Sequence, residues 1–143
     1  MPAQFEEIIP GTDNLFVEQV IQFNERIIGV GQREIGLLSD SELEYAMKAI
    51  KEEATEFKDA HSQQDVIGAV DAVIDLMYFS IGFLRRMGLT ADQISKCMTA
   101  VHNANMEKKL SMEVQKRVAG VADATKPQGW VGPEERIAFI LGG

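Results

Sequence analysis

Residues 65–87 read DVIGAVDAVIDLMYFSIGFLRRM, and the fold turns on what this stretch is. Its length and apolarity would suit a membrane span. Asp71 and Asp75 argue otherwise, since an aspartate near the centre of a span costs roughly 2.5–3.5 kcal/mol on insertion scales. A core helix of a water-soluble bundle fits better, begun near Asp65 and stopped by Gly88. Apolar neighbours surround both aspartates nearly all round, so their carboxylates are expected to face protein. An unpaired buried carboxylate is costly and acquires a partner or a proton. No lysine or arginine lies between Lys58 and Arg85. A distant arginine or backbone group is one solution, and a hard divalent cation bound through carboxylate oxygens is another.

The neighbouring helices are legible from their ends. Ser39 with Glu42 forms a capping box, followed by the seam Leu43, Met47, Ile50, Ala54 and Phe57 in alternating steps of four and three, ending near Ala60. Thr90 with Gln93 opens a further helix from Ala91 to about Lys109 along Ile94, Met98 and Val101. Asp13 or Asn14 caps a first helix reaching about Ile28, with Phe16, Val20, Phe23 and Ile27 inward. Residues 110–121 read either as helix continuation or as a short hairpin. Residues 124–132 read as a loop, and Pro133 opens a last short helix. The expectation is an all-α, four-helix-bundle-like domain spanning 1–143, with an irregular lead-in over 1–12 and a loop and short helix over 124–143. Its expected core holds Ile50, Phe57, Ile74, Met77, Ile81, Met98 and Val101. Phe79 and Phe83 are expected on a face left for a second copy.

At 143 residues the chain can bury one core without staples. The formal net charge of -8 argues against a partner that is a nucleic-acid polymer, which selects a basic face. Small phosphorylated ligands remain open when a cation bridges carboxylate and phosphate. The single cysteine, Cys97, forms no internal disulfide and suits a reducing compartment. With no signal-like segment over Met1–Glu7, the expected location is the cytoplasm, away from the membrane.

Glu53 and Glu56 project from neighbouring positions of the second helix, beside its apolar seam. Alone, such a pair reads as a solvated edge; opposite Asp75 it becomes a candidate metal site. Asn105 continues the inward stripe of the fourth helix and is followed by Lys108, which matters because phosphate chemistry needs positive charge near an acidic cluster. Neither His61 nor His102 completes a Glu-x-x-His motif, and no Walker-A loop, dinucleotide fingerprint or zinc-ligand spacing occurs.

These residues resemble the all-α MazG-like and phosphoribosyl-ATP pyrophosphohydrolase superfamily. Glu52-Glu53-Ala54-Thr55-Glu56-Phe57 is similar to its Glu-Glu-x-x-Glu helix, and Asp71-Ala72-Val73-Ile74-Asp75 to its second acidic helix. Asn103-Ala104-Asn105-Met106-Glu107-Lys108 and Lys126-Pro127-Gln128-Gly129-Trp130 look like the Ser-Asn-Met-x-Lys and Lys-Pro-x-Gly-Trp segments of one branch. The resemblance implies Mg²⁺, or Mn²⁺ in its place, on Glu53, Glu56 and Asp75. Asp71 stands in for a family glutamate whose position is occupied here by Ala72. It implies Glu53 or Glu56 as the catalytic carboxylate, and Asn105, Lys108, Lys126 and Trp130 on the nucleotide substrate. The implied reaction converts a nucleoside triphosphate to the monophosphate and pyrophosphate, and the implied assembly is a homodimer or homotetramer. Phosphoribosyl-ATP pyrophosphohydrolysis, and a non-enzymatic helical oligomerisation or regulatory module, are the alternatives.

Overall fold

The computed structural model describes residues 14–111, 118 and 120–142, so the expected lead-in lies outside the described residues. Helix α1 spans Leu15–Phe23 and continues into a π-helical turn, Asn24–Ile28. Helices α2 (Asp40–Ser62), α3 (Val66–Arg86), α4 (Ala91–Met106) and α5 (Glu134–Ile140) follow. Strand β1 (Lys109–Ser111) pairs antiparallel with β2 (Asp123–Thr125), Lys109 opposite Thr125. The fold is all-α in its architecture, as the periodicity predicts. Helix α4 stops at Met106, three residues short of the expected end, and β2 draws Ala124 and Thr125 out of the expected loop; of the ambiguous stretch 110–121, residues 112–117 and 119 lie outside the described residues.

The helix starts carry the expected caps. Asn14 Oδ1 accepts from the Val17 amide at 3.2 Å. Ser39 with Glu42 and Thr90 with Gln93 form complete capping boxes. Asp65 Oδ1 accepts from the Gly68 amide at 2.9 Å. Only Gln63–Asp65 separate α2 from α3, so the two pair as an antiparallel hairpin. Helix α3 is long and apolar enough, by length and composition alone, to cross a membrane. Here it packs along α2 and, through its second half, on α1. Helix α1 also touches α4, and α4 carries α5. The main cluster joins Val17, Val20 and Ile21 to Ile81, Leu89 and Ile94.

Of the expected core, only Ile81 is buried in the chain. Ile50, Phe57, Ile74, Met77, Met98 and Val101 are all at least 36% exposed. The cause is rotational. Helix α2 buries Ala46, Ala49, Glu53 and Ala60, a stripe about a quarter turn from the larger seam, and α3 meets it through Ala72, which is 2% exposed. Alanine methyls let two helices approach closely, and the bulkier residues are left on the flank. Ile27 is likewise exposed, because the inward stripe of α1 runs through Val17, Val20, Ile21 and Asn24 rather than through Phe16, Phe23 and Ile27. Within the chain, Phe79 lies 6.4 Å from the Tyr45 ring and 6.3 Å from that of Phe83, and both are half-buried.

The segment between α1 and α2 is fastened to the end of α3. Arg33 and Arg86 both donate to Glu42 Oε2, at 2.8 and 3.0 Å. Buried Arg85 donates to Gln32 Oε1 at 3.0 Å and to Glu25. Gly88, at φ +95°, passes so close that a Cβ there would stand 2.3 Å from the Glu34 carbonyl oxygen.

Candidate metal centre

Because Glu53 belongs to the buried stripe of α2, its carboxyl points into the α2–α3 contact. Glu56, three residues on, reaches the same place from the helix edge, and Asp75 approaches from α3. One carboxylate oxygen from each lies within 4.8 Å of the other two. Exposure grades across the group: Glu53 is buried, Asp75 half-buried and Glu56 exposed. Oε2 of Glu53 is buried and has no hydrogen-bond partner, a state that costs about 1–3 kcal/mol for a polar group. Among the described residues, the ion pairs join Arg33, Arg85, Arg86 and Lys96 to acids outside this group. No cation among the described residues pairs with it.

The electrostatics follow. Loss of water around Glu53, then repulsion and a hydrogen bond from Glu56, raise its pKa from 4.5 to about 7. Burial, then the charges of Asp71 and Glu56, raise that of Asp75. Three hard oxygen donors, one orphaned, with mutual repulsion and no cation among the described residues, fit a hard divalent cation.

Asp71 is exposed one turn before Asp75 and lies outside the three-carboxylate group, although its charge acts on both Glu53 and Asp75. Ala72, the residue at the family's glutamate position, is 2% exposed and sits in the α2–α3 contact.

The other candidate residues form a separate assembly. Lys108 Nζ and Lys126 Nζ each lie 5.0 Å from the centre of the Trp130 ring. The indole Nε1 donates to the Ala104 carbonyl at 2.7 Å, fixing the ring on the last turns of α4. Neither lysine has a carboxylate partner among the described residues. Asn105 is exposed beside them. Helix α4 packs on α1 and α5 and more lightly on α3, so within one chain these groups and the carboxylates occupy different parts of the structure.

Sequence reasoning missed an aromatic slot of about 30 Å³ lined by Phe23, Asn24, Tyr45, Tyr78, Phe79 and Arg86. It opens one turn along α3 from Asp75. The i, i+4 spacing of Asp75 and Phe79 was the available signal.

The α2–α3 hairpin thus brings three carboxylates together around a buried oxygen without a partner among the described residues, a candidate metal site in an all-α protein. Residues 34–105, just over half the chain, match the family model described as phosphoribosyl-ATP pyrophosphohydrolase. The chain belongs to that family, within the all-α MazG-like nucleotide pyrophosphohydrolase superfamily. Membership implies a pyrophosphohydrolase, a hydrolase acting on phosphoric anhydride bonds, and the family is typically metal-dependent. A comparison with curated proteins gave no match.

Proposed function

We propose that this chain hydrolyses the bond between the α- and β-phosphates of a nucleoside triphosphate, releasing the monophosphate and pyrophosphate in a Mg²⁺-dependent reaction. The observation that carries this reading is the orphaned Glu53 Oε2 within the Glu53, Glu56 and Asp75 group. When bound there, Mg²⁺ would offset phosphate charge and lower the pKa of an attacking water. Glu53, Glu56 and Asp75 hold the ion, and Asp71 adds negative charge from one turn away. Glu53 or Glu56 orients the water and accepts its proton. Lys108 and Lys126, held on Trp130 and without a carboxylate partner among the described residues, receive phosphate oxygens, and Asn105 donates beside them.

A second reading has its own support. The family description names phosphoribosyl-ATP, and the match ends at residue 105, before Lys108 and the Lys126–Trp130 segment that favour the triphosphate branch. Pyrophosphate release from a panel of nucleoside triphosphates and from phosphoribosyl-ATP, each with Mg²⁺ and with EDTA, separates the two. Turnover of phosphoribosyl-ATP alone would overturn the triphosphate reading. Mg²⁺ binding with turnover of neither substrate would favour the non-enzymatic module.

A further inference from the structure

Arg33 comes from the segment between α1 and α2, and Arg86 from the last turn of α3, 53 residues away. Both donate from Nη1 to Oε2 of Glu42, at 2.8 and 3.0 Å, and Arg33 Nη1 also donates to the Arg86 carbonyl at 3.1 Å. Two guanidiniums therefore converge on one carboxylate oxygen. Neither has a second acidic partner among the described residues, and the adjacent Arg85 is taken by Glu25. The other oxygen of Glu42 accepts from the Ser39 amide at 3.1 Å. Both arginine side chains stay within reach of solvent, 39% exposed at Arg33 and 18% at Arg86. Arg86 also lies over the Tyr45 ring, 5.6 Å from its centre, and lines the aromatic slot with Phe23, Tyr78 and Phe79.

We propose that Arg33 and Arg86 form a seat for a phosphate monoester, which Glu42 fills from within the chain. A phosphate group brings about −1.5 to −2 charge at pH 7 and three acceptor oxygens; Glu42 brings one charge and, to these arginines, a single oxygen. Two forked guanidiniums match the phosphate in charge and in donor geometry, whereas one carboxylate balances only one of them. The slot beside Arg86 offers an aromatic wall to the carrier of the ester. Arg86 follows Asp75 by eleven residues on α3, about 16 Å of helix rise. The seat is therefore distinct from the carboxylate group and stands whether or not that group hydrolyses a nucleotide. A phosphate borne by the substrate beyond its base and a separate sugar phosphate would present the same oxygens.

Isothermal titration of the full chain with ribose 5-phosphate in EDTA tests the seat with no metal bound. The expected result is saturable binding of one ester per chain. Arg33→Gln and Arg86→Gln should each weaken it by roughly tenfold or more, the scale of a lost charged hydrogen bond. Glu42→Gln keeps the capping box and should tighten it by roughly fivefold or more, because the competitor for the seat loses its charge. A merely structural ion pair would not give these opposite signs. Circular dichroism checks that each variant is folded, and Glu42→Gln decides alone where an arginine variant is not. With phosphoribosyl-ATP and Mg²⁺, a roughly tenfold rise in KM for Arg33→Gln makes the ester part of the substrate; an unchanged KM makes it a separate sugar phosphate. No binding by the wild type and Glu42→Gln, no tightening in Glu42→Gln, undiminished binding by folded arginine variants, or loss of binding in Lys108→Ala combined with Lys126→Ala would each overturn the proposal.

Discussion

Glu53 and Asp75 reach towards each other from two antiparallel helices, with Glu56 completing a group whose ligand oxygens lie within 4.8 Å. Glu56→Gln or Asp75→Asn keeps side-chain shape and removes one charge. Each should lower metal-dependent pyrophosphate release by roughly a hundredfold or more, the scale of losing a major electrostatic catalyst. The apoprotein should fold and melt no lower than the wild type, since repulsion is relieved. Full activity in both variants would remove the site. Asp71→Asn, outside the group, should cost less than about tenfold; a loss equal to that of Asp75→Asn would make Asp71 a ligand.

Two carboxylates pull the pH dependence of stability in opposite directions. The folded chain binds the Glu53 proton more tightly than the unfolded chain, with a pKa of about 7 against 4.5. Stability of the apoprotein therefore falls as pH rises from 4.5 through 7, and Asp75, raised from 3.8, acts in the same direction. Glu42 is held at about 2, first by its hydrogen bond from Arg33. Its contribution is complete above 4.5 and is lost as pH falls towards 2. Thermal melts in EDTA should show a maximum near about pH 5, and Mg²⁺ should flatten the alkaline limb. An alkaline limb indifferent to Mg²⁺ would contradict ion binding at Glu53.

Gly88→Ala should destabilise the chain by roughly 2–3 kcal/mol. The position combines φ +95° with a Cβ site 2.3 Å from the Glu34 carbonyl oxygen, so the linker before α2 must move. Chemical denaturation measures the loss. A change below 0.5 kcal/mol, which about bounds an ordinary surface substitution, would mean that this segment is not fastened as described.

Trp130→Phe keeps a ring beside Lys108 and Lys126 and deletes the hydrogen bond to Ala104. The expected stability loss is about 0.5–1.5 kcal/mol. If the two lysines receive phosphate oxygens, Lys108→Ala and Lys126→Ala should each raise KM by roughly tenfold, the signature of lost uniform binding. A fall in kcat at constant KM would instead place them on the transition state.

Helix positions were legible because the caps are local: Asn14, Ser39 with Glu42, Asp65, and Thr90 with Gln93 each declare a start within four residues. Which face of α2 turns inward was not. A seam of Leu43, Met47, Ile50 and Phe57 outweighs a stripe of alanines in any reading by hydrophobicity, yet close helix contact selects the alanines. The same stripe explains why Glu53, which reads as a neighbour of the core, lies inside the contact itself. The pairing of β1 with β2 joins residues 12 to 16 apart and has no helical or strand period long enough to announce it. The Arg85 links to Glu25 and Gln32 join positions more than 50 residues apart, beyond any spacing argument.

The alanines at 46, 49, 60 and 72 act as a gauge. Small methyls at a contact let helix axes approach towards the near end of the roughly 8–10 Å range for packed helices, and the α2–α3 spacing in turn fixes the span between Glu53 and Asp75. Ionic radius is then selected by methyl groups that touch no ion. Ala72→Val would lever the axes apart and lengthen the reach demanded of each carboxylate. Mg²⁺, which accepts oxygens only near 2.0–2.1 Å, should lose affinity more than Ca²⁺, which tolerates about 2.3–2.6 Å. Calorimetric titration with the two ions would read that exchange of preference directly.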